Sequence, residues 1–280
     1  MHPCPYCDGY KVDKQGRKTN QKGTFVKGQK RTGKSLLENF ESYRTQGGSN
    51  RKNLQNYNSV EFPPLYIREG QEDMDVINLY PPPELHTGIL GPGNDCLAQL
   101  ARYFPDQMEQ FYAKHHIKRG GPGGQFNGPT IKKILMNHQG ILEELRNIVT
   151  EGGDDFKLFI DHLENLGNVH FAVNMKVLNM ERVKNALETF RETFSKLQSV
   201  FDLSMTLKVH IISEHYQEHF DSTGKTLLSY SDEVTESMHS QLRLFEDAHK
   251  YLTKKKGSKS HRRLQQKLVV HINSVNLGDL

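Results

Sequence analysis

Apolar side chains recur at helical spacing over most of the chain beyond residue 84. Leu97, Leu100, Ala101, Phe104, Met108 and Phe111 fall three or four apart, the spacing of one face of an α-helix. Pro105 inside that stretch predicts either a bend or a split into two helices. Ile131, Ile134, Leu135, Leu142, Leu145 and Ile148 mark the next helix, opened by Asn127-Gly128-Pro129, where proline suits a first turn. Phe156, Phe159, Ile160, Leu163 and Leu166 mark a third. Met180, Val183, Leu187, Phe190, Phe194, Leu197 and Phe201 mark a fourth, the most regular stripe in the sequence. Further helices are predicted around Thr206 to Phe220, from about Ser231 to Tyr251, and from Ser260 to Ser274. The stripes read as the faces that build a core.

The first 34 residues break this pattern. They are poor in large apolar side chains and rich in Gly, Lys, Asn and Gln, so they bury little surface without a staple or a partner. A short helix is predicted from Ser35, an N-cap type, through Leu36, Leu37, Phe40 and Tyr43 to Gly47-Gly48. A loop follows to about residue 75. Met74 to Leu79 reads as extended, and Pro81-Pro82-Pro83 ends regular structure there. Gly120-Gly121-Pro122-Gly123-Gly124 reads as a hinge or exposed loop, because it lacks the Lys-Ser/Thr ending and flanking strand of a phosphate-binding loop. Four segments result: a basic amino-terminal segment over 1–75, a helical domain over 76–205, a histidine-bearing and acidic helical pair over 206–252, and a basic tail with a terminal helix over 253–280.

Charge sharpens this division. The net charge of +4 hides an asymmetry: residues 1–60 hold twelve Lys plus Arg against four Asp plus Glu, residues 250–267 hold eight basic residues and no acid, and residues 61–249 hold seventeen basic against twenty-eight acidic. Basic ends flanking an acidic middle suit a polyanionic partner, since each neutralised phosphate releases counterions. The alternative is a pair of merely solvated tails. With 35% hydrophobic residues and no apolar run near the ~20 residues of a membrane span, neither membrane insertion nor a signal peptide is expected. Three cysteines, two of them nearly adjacent, fit a reducing compartment better than a disulfide scaffold.

Two constellations carry candidate chemistry. Cys4-Pro5-Tyr6-Cys7 has the two-residue spacing with which a chain turn offers two thiolates to one tetrahedral Zn²⁺. A redox pair would want a preceding strand, for which Met1-His2-Pro3 leaves no room. The missing half of a metal site is on offer at His210, His215 and His219. On an ideal helix His215 and His219 share a face, whereas His210 and His215 lie about 140° apart, so helix geometry alone favours the later pair. A metal joining Cys7 to His210 would close a loop of about 200 residues at a cost of roughly 4 to 5 kcal/mol, against ~10 to 16 kcal/mol from a structural Zn²⁺. The second constellation is Ser231-Asp232-Glu233-Val234-Thr235-Glu236-Ser237, where Glu233 and Glu236 share a helix face. Acids in a first turn also simply favour the helix dipole. No Ser-His-Asp, Gly-x-Ser-x-Gly or His-Glu-x-x-His arrangement supports a hydrolase or zinc-protease reading.

In order, the features are a Cys-x-x-Cys, a long helical stretch, a His-x4-His, and a Glu about twenty residues later. This order resembles DDE-type transposases with an RNase H-like fold and a helical insertion, above all the Transib-type transposases and the V(D)J recombinase catalytic subunit, with the hAT group more distant. Glu84-Leu85-His86 followed by Gly91 and Asn94, and Phe126-Asn127-Gly128 followed by Lys132-Lys133-Ile134-Leu135, add to the likeness, which spans nearly the whole chain. The resemblance implies a mainly α-helical, zinc-stapled insertion domain plus the terminal helix of a split RNase H-like fold. It implies one structural zinc on Cys4, Cys7, His210 and His215, reversing the helix-geometry preference for His219. It implies Glu236 as the third catalytic acid, with Glu233 as the next candidate. Such enzymes hold two Mg²⁺ between three carboxylates for in-line attack on a phosphodiester. Their two catalytic aspartates lie on strands ahead of the Cys pair, and this sequence starts three residues before Cys4, so Mg²⁺ chemistry is expected only if those aspartates are supplied. A nuclear, DNA-contacting protein is implied, with a homodimer left open. The phosphate-facing residues expected from the basic ends are Lys27, Lys30 and Arg31, with Lys254, Lys255, Lys256, Arg262 and Arg263.

Overall fold

The computed structural model describes residues 4–19, 21–47, 67, 69–82, 88–118, 125–137 and 140–230, all within one compact unit, Met1–Asp232. It is mainly helical, with a single two-stranded sheet among the described residues. The helices are α1 (Gly33–Ser42), α2 (Val76–Leu79), α3 (Gly91–Tyr103), α4 (Pro105–Lys114), α5 (Gly128–Leu135), α6 (Ile141–Thr150), α7 (Lys157–Val173), α8 (Met180–Phe201) and α9 (Leu207–Thr223). No helix among the described residues is long and apolar enough to cross a membrane.

The core sits around α7. Phe159, Ile160, Leu163, Leu166, Val169, Ala172 and Val173 are buried on almost every side of it, and α3, α5, α6 and α8 all pack against it. Gly167 permits the close approach of α5, since a Cβ there would stand 2.6 Å from the Leu135 carbonyl oxygen. The α8 stripe of Val183, Leu187, Phe190, Phe194 and Leu197 closes one flank, and α9 then packs on α8, α3 and α2.

Several boundaries differ from the sequence reading. Pro105 splits its stretch, taking the first position of α4 while Phe104 leaves helical geometry. The 131–148 stripe is two helices, because Asn137 and Gly140 adopt left-handed backbone at φ 49° and 70°, and the Asn137 side chain caps the new start by accepting from the Leu142 N–H at 2.8 Å. Thr32, not Ser35, caps α1: each of the two side chains accepts from the other's backbone N–H, the reciprocal box that places Ser35 one turn inside. α1 then runs into a π-helical turn over Tyr43–Gly47. Val76 to Leu79, read as extended, forms a helical turn instead, because Val76 and Ile77 bury together beneath α9.

The amino-terminal segment holds the sheet that periodicity did not reveal. β1 (Tyr10–Val12) and β2 (Thr24–Val26) pair antiparallel, Tyr10 opposite Val26 and Val12 opposite Thr24, and bridges at Cys7 with Lys30 and Val12 with Lys18 extend the hairpin both ways. It is tied to the end of α8 and to the α8–α9 linker: Gln198 of α8 donates to Thr24 Oγ1 at 2.7 Å, and the Met205 N–H donates to the Gly23 carbonyl at 2.9 Å. These ties set the Cys turn against α9.

Candidate metal centre

Cys4, Cys7, His210 and His215 converge at the junction of the hairpin base and α9. Their ligand atoms all lie within 4.8 Å of one another, and all four side chains are fully buried. Cys4 Sγ stands 3.3 Å from His215 Nε2, and Cys7 Sγ stands 3.5 Å from His210 Nε2. A tetrahedral ion with Zn–S of about 2.3 Å and Zn–N of about 2.0 to 2.1 Å would set each S···N edge at about 3.6 Å. The cluster therefore fits a metal such as zinc in both donor chemistry and spacing.

Local sequence explains how the thiols are presented. The Tyr6 N–H donates to Cys4 Sγ and the Gly9 N–H to Cys7 Sγ, each at 3.4 Å, so the tight turn points both sulfurs and two amide dipoles inward. Gly9 is required for this: a Cβ would lie 2.6 Å from the Val26 carbonyl oxygen and 2.9 Å from Cys7 Sγ. The hydrogen bond to Cys7, then burial and the Cys7 charge, push the Cys4 thiol well above the ordinary cysteine range. The same bond, with those from His210 and His215, pulls Cys7 well below it. One thiolate thus opposes the other, and a divalent cation would remove that opposition.

The two histidines are held differently. His215 Nδ1 pairs with Glu218 Oε2 at 2.8 Å, an arrangement that fixes the ring with Nε2 toward the metal position. Burial raises the Glu218 carboxyl, but the bonds from Lys27 and His215 outweigh it and leave the group below its ordinary value. His210 stacks on Phe25 with ring centroids 4.9 Å apart, and its buried Nδ1 has no hydrogen-bond partner among the described residues. Among the described residues the Phe25 ring, not a second carboxylate, is what orients it.

Helix geometry had favoured His215 with His219, and the structure does not bring His219 into the cluster. Helix α9 is continuous through all three residues, with Thr206 as its N-cap. His210 and His215 reach around its flank from about 140° apart, and their rings meet edge to face at 5.0 Å. His219 follows His210 by nine residues, about 180° around the helix, so it cannot share a centre with His210. It is buried instead beside Tyr230, with Nε2 3.5 Å from Thr223 Oγ1.

The basic residues of this segment are also placed differently from expectation. Arg31 is only 7% exposed and donates from Nε to the Cys7 carbonyl at 3.0 Å, so it supports the Cys turn and does not face a phosphate. Lys27 pairs with Glu218 at 2.9 Å and Glu214 at 3.7 Å, and Lys30 with Asp75 at 3.4 Å and Glu218 at 3.7 Å. These lysines dock the hairpin onto α9. Sequence reasoning missed Glu218 and Gly9; a carboxylate three residues after a ligand histidine and a glycine two after a ligand cysteine were the available signals. Glu233, Glu236, Lys254, Lys255, Lys256, Arg262 and Arg263 lie outside the described residues. No family model, no curated protein and no solved structure matches the chain.

Proposed function

We propose that this chain is a zinc-stapled, DNA-contacting part of a DDE-type transposase-derived protein of the Transib and V(D)J recombinase kind. The observation that carries the reading is the pairing of ligands: the four side chains which the resemblance assigns to one zinc are the four that meet in the structure, and the competing His219 stands apart. In this reading the metal is zinc and its role is structural, because four protein ligands close the coordination shell and leave no position for a substrate. The helical body would be the insertion within an RNase H-like fold, and Glu236 the third acid of its metal site. The two partner aspartates belong to strands that the family carries ahead of the Cys pair, so binding DNA in the nucleus, not cutting it, is the activity proposed for these residues alone.

Metal analysis of the purified chain is expected to give about one zinc per molecule, lost in Cys4→Ser and in His210→Ala; a metal-free chain of equal stability would refute the zinc. Binding to mixed-sequence duplex DNA is expected to fall steeply with salt and to weaken on charge reversal at Lys254, Lys255 and Lys256. The internal pairing of Lys27, Lys30 and Arg31 favours one other reading, a helical protein-interaction module that uses zinc only to fold. Intact zinc without any DNA binding at low salt would select it.

A further inference from the structure

The amino-terminal basic residues divide into two sets that the sequence does not separate. Arg31 is buried against the Cys turn, and Lys27 and Lys30, with side chains 37% and 47% exposed, lie along α9 on Glu214, Glu218 and Asp75. Between β1 and β2 a second set is more exposed: Lys14, Arg17 and Lys22 have side chains 77%, 74% and 58% exposed, and Lys18 is exposed beside them. Residues 10–26 hold five basic side chains, Lys11 included, against the single acid Asp13.

The described residues 13–19 of this loop are held by their own bonds. Asp13 Oδ1 accepts from the N–H groups of Gln15 and Arg17, each at 2.9 Å, and Oδ2 accepts from Arg17 Nε at 2.9 Å. Gly16 supplies the left-handed residue of the turn, at φ 76°. Lys18 Nζ rests 4.1 Å from the centroid of the Tyr10 ring. Beneath the loop, a groove of about 500 Å³ is lined by Lys14, Gln15 and Lys22 from the hairpin and by Ser195, Gln198 and Ser199 from α8. Two carboxylates face the set: Asp13, spent on Arg17, and Asp202, whose two oxygens take Lys14 at 2.8 Å and Lys22 at 2.7 Å. Those lysines hold the Asp202 carboxyl down at about 2, so its negative charge is present at any working pH and competes for them.

We infer that the hairpin loop, through Lys14, Arg17, Lys18 and Lys22, is the amino-terminal surface that meets the phosphodiester backbone of duplex DNA, with Asp202 as the internal anion that phosphates displace. The inference rests on the DNA-binding reading above. A preordered loop forfeits little freedom on binding, Lys and Arg on phosphates supply a sequence-independent and salt-sensitive attraction, and an Asp202 that holds two of the four cations should weaken it.

The test is fluorescence anisotropy of the zinc-loaded full chain with a labelled mixed-sequence duplex, from 50 to 200 mM KCl. The Lys14→Ala/Arg17→Ala/Lys18→Ala variant is expected to lower the magnitude of the slope of log K against log salt by about 2 to 3. A matched Lys157→Ala/Lys176→Ala/Lys184→Ala variant is expected to change it by less than about 1. Asp202→Asn is expected to bind several-fold tighter; Asn tolerates the left-handed backbone at this position (φ 50°), and a gain of binding does not arise from misfolding. A triple variant with wild-type zinc content, melting temperature and slope overturns the inference while leaving the DNA reading standing. A wild-type chain that ignores the duplex at 50 mM KCl refutes the DNA reading, and the inference with it. Displacement of the duplex by polyglutamate as readily as by unlabelled duplex also overturns it, pointing to an acidic protein partner. Should the triple variant lose zinc, lysine acetylation of the wild type decides: protection of Lys14 and Lys18 by duplex supports the assignment, and full reactivity in its presence refutes it.

Discussion

Replacing His215 and His219 separately distinguishes the two histidine pairs that the sequence leaves open. His215 Nε2 lies 3.3 Å from Cys4 Sγ, within the span of one tetrahedral centre, whereas His219 directs Nε2 to Thr223, a turn further along α9 and away from the Cys pair. Structural zinc sites supply ~10 to 16 kcal/mol, so each of four ligands carries about 3 kcal/mol, equivalent to a factor of roughly 100 in affinity. His215→Ala is therefore expected to weaken zinc binding by about 100-fold or more. His219 is completely buried, so His219→Ala should instead leave a cavity costing ~2 to 4 kcal/mol of stability while zinc affinity holds within a few-fold. Competition against a chromophoric chelator measures the first quantity, and denaturant unfolding of the zinc-loaded chain the second. The reasoning fails if His219→Ala loses zinc as severely as His215→Ala, or if His215→Ala keeps wild-type affinity. His219→Gln retains bulk and polarity, and serves as the stable comparator.

Three further outcomes follow from particular contacts. Glu218→Gln removes the charge that orients His215 and pairs with Lys27 and Lys30; about tenfold weaker zinc binding is expected, and an unchanged dissociation constant would show that the carboxylate plays no such role. Gly9→Ala forces a methyl against the Val26 carbonyl and Cys7 Sγ, so the zinc-loaded chain should lose ~1 to 3 kcal/mol of stability, read as a lower midpoint in urea. His162 in the core is pushed down to about 4 by burial. The unfolded chain then takes up the extra proton between about pH 6.5 and 4, so this contribution is whole above pH 6.5 and about 2 kcal/mol of it is lost on going from pH 7 to 5. His162→Asn, compared with wild type at constant zinc loading, should flatten that pH dependence; an identical slope refutes the assignment.

The features legible in the sequence are those set by local pattern. The α8 stripe from Met180 to Phe201 appears with its predicted bounds, because seven apolar side chains at helical spacing leave no competing fold. Pro105 and Pro129 act as the rules for first turns require. Features decided by distant neighbours were not legible. Strands of three residues at Tyr10–Val12 and Thr24–Val26 are too short to show alternation, and they persist through Asp13's turn and the hydrogen bonds to residues 198–205. The break between α5 and α6 depends on left-handed backbone at Asn137 and Gly140, two residue types that are equally at home elsewhere. The inward turn of Arg31 depends on a carbonyl 24 residues away. Periodicity therefore finds the helical body and is silent on what docks against it.

The same limit explains why helix geometry pointed to the wrong histidine pair. A ligand pair is expected to share a face when one side of a helix lies on the core and the other meets solvent. Around the cluster α9 departs from that condition: Ile212, Tyr216 and Phe220 enter the body, and His210 and His215 are equally buried beneath the Cys turn, although Lys208 and Asp221 near its two ends meet solvent. Up to Lys30 the described residues offer the interior only Cys4, Tyr6 and Cys7 besides Gly9, too little apolar surface to hold a hairpin in place. A metal at this junction would replace an apolar seam with four directed bonds, and four directed bonds do not need ligands on one face. They need side chains long enough to reach a point beside the helix, which imidazoles five residues apart can do. The loop beyond β1 adds only polar ties to this docking, from Lys14 and Lys22 to Asp202 and from Gly23 to Ser204 and Met205. Its tip offers no apolar side chain to the interior, which leaves Lys14, Arg17, Lys18 and Lys22 at the surface, the arrangement on which the proposed contact with DNA depends.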